Sequence, residues 1–200
     1  MIAIINYEAG NLASVSNALK RLQTDFIVTN KTGDLESSDA VIFPGVGHAR
    51  PAMQALQKHG LDVWLKQTDK PILGICLGMQ LLFDSSEEGD TEGLGLIPGR
   101  LKRFEPGTDK IPHMGWNTFS HTKRHPLLTE LNGEQHFYYV HSYYAPVSDY
   151  TLASCHYINE FASVVGKDNV VGVQFHPEKS GDAGSRLLQN FLRMVSLISI

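Results

Sequence analysis

The stretch Pro71-Ile72-Leu73-Gly74-Ile75-Cys76-Leu77-Gly78-Met79-Gln80-Leu81-Leu82-Phe83 sets the architecture of this chain. Its first half is an apolar run of strand length, and its second half an apolar run suited to a helix. Between them, two glycines flank one cysteine. Strand, sharp glycine-flanked turn and helix together form a nucleophile elbow. Such a turn is strained, and side chains on either side of it would clash. It lifts Cys76 clear of the sheet and points it at the N-terminus of the helix. The backbone amides there offer a place for a developing negative charge. The N–H of Leu77, the next residue, is the first candidate donor to an oxyanion.

A thiol needs a base or a positive field before it attacks a carbonyl. Val173-Gln174-Phe175-His176-Pro177-Glu178 supplies one. Val170-Val171-Gly172-Val173 reads as a buried strand, so His176 and Glu178 lie just past its end. In extended backbone an i, i+2 pair projects to one side. Glu178 then orients the imidazole, and His176 takes the proton from Cys76. Two strand ends of one parallel sheet fall on the same edge, where α/β proteins keep their ligand sites. Each motif alone is weak, because buried cysteines are common and glycine pairs often just mark tight turns. Their conjunction, each at the end of an apolar strand, makes Cys76, His176 and Glu178 the candidate catalytic set.

Outward from the elbow the chain alternates strand and helix. Residues 2–6 form an apolar strand. Asn11 can cap a helix whose Leu12, Val15, Leu19 and Leu22 recur at helical spacing. Phe26-Ile27-Val28 and Ala40-Val41-Ile42-Phe43 are strands, the second ended by the Pro44-Gly45 turn. The spacing predicts one helix over 52–66, despite Gly60. This rhythm predicts an α/β fold of three layers, a mainly parallel central sheet with helices on both faces. The strand-like segments 94–104, 135–144, 152–157 and 161–165 predict an antiparallel extension. Residues 170–175 return to the core, and 184–197 read as a closing amphipathic helix. The polar segment 84–93 reads as a mobile loop with solvated charges.

Two hundred residues with 42% hydrophobic content suit one domain over 1–200 with a sizeable core. A net charge of −4 argues against a nucleic-acid partner. No apolar run approaches a membrane span, and Met1-Ile2-Ala3-Ile4-Ile5-Asn6 reads as a first strand rather than a signal peptide. Two cysteines do not make a disulfide framework, which points to the reducing cytoplasm. Cys155 reads as a core thiol. The histidines show no ligand spacing with cysteine, so neither a metal nor a cofactor is expected.

The same motifs carry a resemblance. Asn6-Tyr7, Gly10-Asn11, Pro44-Gly45-Val46-Gly47, Gly74-Ile75-Cys76-Leu77-Gly78-Met79-Gln80, Pro112-His113-Met114-Gly115-Trp116-Asn117, Tyr139-Val140-His141-Ser142-Tyr143 and Gln174-Phe175-His176-Pro177-Glu178-Lys179-Ser180 span nearly the whole chain. Together they resemble the class I glutamine amidotransferases, glutaminase domains of flavodoxin-like fold with a Cys-His-Glu triad. The stretches at 44–47 and 112–117 resemble those of the glutaminase subunits of imidazole glycerol phosphate synthases. The resemblance implies L-glutamine as substrate. It also implies a heterodimer with a (β/α)₈-barrel cyclase subunit that receives the ammonia in histidine biosynthesis.

It assigns further roles to single residues. The loop at 44–47 becomes the oxyanion strand, with Val46 and Gly47 beside the second donor; its plain alternative is a strand-ending turn. Gln80, one helical turn past the cysteine, and Ser142 and Tyr143 hold the α-amino and α-carboxylate end of glutamine. Their plain alternatives are a polar helix residue and a strand terminus. Asn11, Tyr138 and Lys179 face the partner at the mouth where ammonia exits, and for Asn11 a simple N-cap role is equally compatible. His113, Trp116 and Asn117 mark the family without a derivable catalytic role. Three rival readings stay open: a glutaminase serving another synthase, a stand-alone cysteine hydrolase, and a non-catalytic subunit on the same fold.

Overall fold

An eight-stranded sheet runs through the computed structural model, which describes residues 1–8, 10–107 and 109–198. Its parallel part is built from β1 (Ile2–Ile5), β2 (Phe26–Thr29), β3 (Ala40–Gly45) and β4 (Ile72–Cys76). The chain then builds β5 (Phe83–Ser86), β6 (Thr91–Glu92), β7 (Ile97–Arg103), β8 (His113–Asn117), β9 (His121–Thr122), β10 (Phe137–His141) and β11 (Tyr143–Tyr144). It returns through β12 (Thr151–His156), β13 (Glu160–Lys167) and β14 (Val170–Val173). The order across the main sheet is β2-β1-β3-β4-β14-β13-β12-β9. Pairing is parallel from β2 to β14 and antiparallel from β14 to β9. Of the segments expected to form the antiparallel extension, 152–157 and 161–165 make one edge of the sheet, whereas 94–104 and 135–144 go to smaller sheets. Two smaller sheets, β10-β8 and β11-β7-β5-β6, stand beside it.

The helices are α1 (Leu12–Arg21), α2 (Thr32–Glu36), α3 (Ala49–Lys58), α4 (Leu61–Gln67), α5 (Leu77–Leu81) and α6 (Gly181–Ile198). Strand alternation decides which of them each face meets. Ile2 and Ile4 point into one apolar cluster with Val15 and Leu19 of α1 and Leu187 and Phe191 of α6. Ala3 and Ile5 point into the other, with Met53 and Leu56 of α3 and Leu61 and Trp64 of α4. Buried on both faces, β1 has no polar position to spare. Among the described residues no helix is long and apolar enough to cross a membrane.

Three expectations change. The helix expected over 52–66 is two helices, because Gly60 takes the left-handed conformation at φ +67° and ends α3. Only glycine enters that region without a Cβ penalty. The closing helix begins at Gly181 rather than at 184. The polar segment 84–93 lies across β5 and β6 rather than being all loop; Asp84, Glu87, Asp90 and Glu92 are exposed as expected, but Glu88 works inside the fold. Its Oε2 accepts the N–H of Ala49 at 2.8 Å, and its Oε1 sits 3.0 Å from His48 Nδ1. The first amides of α3 lack intrahelical partners, and a carboxylate is the natural group to satisfy them.

The elbow rests on close approach. A Cβ on Gly78 would fall 1.8 Å from the Phe43 carbonyl oxygen, and one on Gly74 would fall 2.8 Å from Met79 N. Both contacts are with backbone, which cannot swing aside. Gly78→Ala should lower unfolding stability in urea by about 3 kcal/mol, as expected for overpacking in a rigid site. Gly33→Ala is the control: nothing lies within 4 Å of its Cβ, and the change should raise stability by about 0.5 kcal/mol.

Candidate active site

Register brings the motifs together. β14 pairs with β4 so that Val173 lies opposite Ile75, and β3 pairs with β4 so that Gly45 lies opposite Cys76. The cysteine, the 44–47 loop and the segment leading to His176 therefore leave the sheet at one end. Cys76 sits at φ +53°, ψ −110°, directly before α5. A side-chain-bearing residue in that region is strained, and such strain concentrates at functional sites.

His176 and Glu178 are both buried, and Nδ1 lies 2.8 Å from Glu178 Oε1. Their meeting has a different cause from extended i, i+2 backbone. Residues Pro177–Lys179 form a 3₁₀ turn, which swings the carboxylate back onto the ring. Ser180 secures that turn: its Oγ donates to the His176 carbonyl at 2.6 Å and accepts the Tyr138 N–H at 3.0 Å. A carboxylate only accepts, so Nδ1 carries the proton toward Glu178 and Nε2 is left for chemistry. Nε2 is buried without a hydrogen-bond partner. Burial pushes the His176 pKa down. The Cys76 sulfur and then the Glu178 carboxylate outweigh it and raise the pKa to about 10.

Cys76 and His176 line one cavity of about 430 Å³. Leu77, Val46, Gly47, Gln80, Ser142 and Tyr143, singled out from sequence, line the same cavity. Gln80 is committed on one side: Nε2 donates to the Tyr143 carbonyl at 2.9 Å and to Gln174 Oε1 at 3.0 Å. That leaves Oε1 to face a ligand. Three further lining residues carry no sequence signal, His48, Glu88 and Arg103. The acid lies in a segment that reads as solvated, and the arginine among the charges of an ordinary strand.

Asn11, Tyr138 and Lys179 lie outside the cavity lining. Asn11 caps α1, its Oδ1 accepting the Ser14 N–H at 3.3 Å. Gly10, just before it, abuts Pro44 of the loop. Lys179 Nζ stands 5.9 Å from the centroid of the Tyr138 ring, and the Trp116 ring meets Tyr138 at 5.8 Å. Trp116 and Met114 are 56% and 63% exposed, an apolar pair on the outer face of β8.

A buried histidine pair joins β8 and β10, with His113 opposite His141. His113 Nδ1 lies 3.0 Å from His141 Nε2, and His141 Nδ1 lies 2.8 Å from the Tyr143 carbonyl oxygen. Burial pushes the His113 pKa down to about 4 and that of His141 to about 3. A pH titration followed by ring-proton NMR should find His176 still protonated above pH 8 and these two neutral down to about pH 5. Between pH 6.5 and about 4 the unfolded histidines bind protons that the folded His113 and His141 refuse. Unfolding stability contributed by this pair is full above 6.5 and should fall as pH drops through that window.

The class I glutamine amidotransferase family model matches residues 3–195. The imidazole glycerol phosphate synthase subunit HisH of Bacteroides fragilis is 47% identical over 96% of this chain and 99% of its own length. The HisH subunit of Halalkalibacterium halodurans is 48% identical over 98% of this chain and 96% of its own. Among solved structures, a putative GMP synthase component from Thermoplasma acidophilum superposes with a TM-score of 0.77. That match covers 99% of this chain and 94% of the other at 18% identity, a likeness of fold. With this fold and relatives 47–48% identical over nearly its whole length, the chain is a glutamine amidotransferase of class I and belongs to the family of HisH subunits of imidazole glycerol phosphate synthase.

Proposed function

We propose that this chain hydrolyses L-glutamine to glutamate and ammonia through Cys76, His176 and Glu178, and passes the ammonia to a separate cyclase subunit. The observation that carries the reading is that Cys76 and His176 line one cavity, with the buried imidazole held by Glu178 at Nδ1 and its Nε2 unbonded. Amides are poor acyl donors, so a covalent route is required. The Cys76 sulfur attacks the side-chain amide carbon, and the carbonyl π electrons move to oxygen. The Leu77 N–H and the 44–47 loop, with Val46 and Gly47, receive that charge. The loop leaves β3 beside the sulfur, with Gly45 opposite Cys76. Losing one such donor costs about 3–4 kcal/mol of barrier. His176 then protonates the leaving nitrogen, the C–N bond breaks and ammonia departs. Water, deprotonated by His176, attacks the thioester and releases glutamate and the sulfur. Glu178 keeps the ring in one orientation and balances its charge throughout.

The cavity supports an α-amino acid as substrate. Glu88 and Arg103 present opposite charges to an α-ammonium and an α-carboxylate, and Gln80, Ser142 and Tyr143 add neutral polar groups. The partner reading rests on the HisH relatives. The cyclase, a (β/α)₈ barrel, would use the ammonia to make imidazole glycerol phosphate and aminoimidazole carboxamide ribotide. Asn11, Tyr138 and Lys179 would face it, beside the exposed Trp116 and Met114. Ammonia in water is mostly protonated and poorly nucleophilic, which gives a sheltered transfer its physical reason.

Cys76→Ala should lower glutamine turnover about a thousandfold or more, while ammonium salts still support the reconstituted cyclase. Glutamine turnover surviving in the variant would remove the nucleophile assignment. The isolated chain should turn over glutamine slowly and accelerate when cyclase and its nucleotide ligand are added. A steady-state rate indifferent to both would remove the coupling.

A further inference from the structure

We propose that Gln174 is a further catalytic residue, its amide N–H aimed at the Cys76 sulfur by a hydrogen-bond relay running from the buried His113–His141 pair through the Tyr143 carbonyl and Gln80. This rests on Cys76 being the nucleophile. The relay is continuous. His113 Nδ1 meets His141 Nε2 at 3.0 Å, and His141 Nδ1 meets the Tyr143 oxygen at 2.8 Å. Gln80 Nε2 donates to that same oxygen at 2.9 Å and to Gln174 Oε1 at 3.0 Å. Gln174 Nε2 then donates to Cys76 Sγ at 3.8 Å.

The direction of every bond is forced. A backbone carbonyl can only accept, so both groups facing Tyr143 O are donors. His141 therefore carries its proton on Nδ1, and as a neutral ring it accepts at Nε2 from His113. Gln80 must turn its NH₂ toward Tyr143. The same NH₂ reaches Gln174, whose amide must answer with oxygen. An amide held by its oxygen turns its NH₂ the other way, and there lies the sulfur. Gln174 is fully buried, so no water competes for these contacts.

The chemistry needs such a donor twice. Before attack, the Cys76 sulfur is almost wholly buried, and a thiolate there loses part of the hydrogen bonding that bulk water would give it. The Val140 carbonyl, 3.9 Å from Sγ, is an acceptor and suits only the protonated thiol. After acylation, the C–S bond breaks and its electron pair returns to sulfur, where the Gln174 N–H meets it again. A neutral amide takes up no proton at working pH, so it does not compete with His176 as base. Asn117 Nδ2, 3.4 Å from His113 Nε2, closes the far end of the relay.

Gln174→Glu keeps the shape and replaces the donor by a carboxylate. Alkylation of Cys76 by iodoacetamide at pH 6, read on its peptide by mass spectrometry, should slow about tenfold. An unchanged rate overturns the proposal. The wild-type protein gives a test free of folding risk. In 1H–15N spectra the Gln174 side-chain amide protons should shift with pH in step with the alkylation rate, and Cys76→Ala should abolish that shift. Amide protons that stay still with Cys76 intact overturn the proposal equally. For the relay, His141→Leu should slow alkylation severalfold, and His141→Asn, which keeps a donor near Nδ1, should restore it; equal rates would cut the histidines out. None of these readouts uses glutamine, so their failure would leave the glutaminase reading standing, whereas turnover by Cys76→Ala would sink that reading itself.

Discussion

Parallel pairing of β4 with β14, in the register that sets Val173 against Ile75, is the constraint on which the site depends. Both strands are buried on both faces, so neither can slide without exposing an apolar residue. Their carboxyl ends then stop side by side. One chain end turns sharply into α5 at Cys76, and the other runs through Phe175 to the turn at Pro177–Lys179. A slip of one position along either strand would separate sulfur from imidazole. The sheet acts as a ruler, and the absent side chains at Gly74 and Gly78 let the elbow lie flat against its neighbours.

The polar interior beside that ruler is unusual in its completeness. Two histidines and two glutamines are buried in one connected set, the pairs joined through the Tyr143 carbonyl, which accepts from both His141 and Gln80. Connected networks of this kind specify one arrangement, because any broken link leaves a buried polar group without a partner. Against that background the unsatisfied atoms stand out. Among the described residues five buried side-chain atoms lack partners, and three of them, Tyr7 Oη, His176 Nε2 and Glu178 Oε2, belong to the site or its back wall. Tyr7 Oη lies 2.5 Å from where a Cβ on Gly45 would stand, behind the loop next to the sulfur. Strain at Cys76 and open valences at its neighbours fall in one place, which is the usual signature of chemistry rather than of stability.

Much of this was legible along the chain. The alternation of apolar runs and turns implied the layered sheet, since a strand such as 2–5 that is apolar on both faces must be covered twice. The glycine–cysteine–glycine turn and the histidine–proline–glutamate segment each ended such a strand, so their meeting could be expected. Local signals failed where one residue's conformation or partner decided the outcome. Gly60 split a periodic apolar pattern by turning left-handed. Glu88 looked like a surface charge, because nothing in a polar run tells that Ala49, far back in the chain, will present an unsatisfied amide. His113 and His141 carried no spacing signal, since they meet only through the pairing of β8 with β10.

By itself, then, the amino-acid order determined the class of sheet and the candidate nucleophile and base, because strand burial and elbow geometry are consequences of nearest neighbours along the chain. Only the tertiary structure decided how the carboxylate reaches the imidazole, which way each glutamine amide faces, and which distant charges enter the cavity. Those outcomes depend on hydrogen-bond polarity and on close approach between segments far apart in the chain. Such contacts have no period and no local motif; they exist only once the sheet has set the distances.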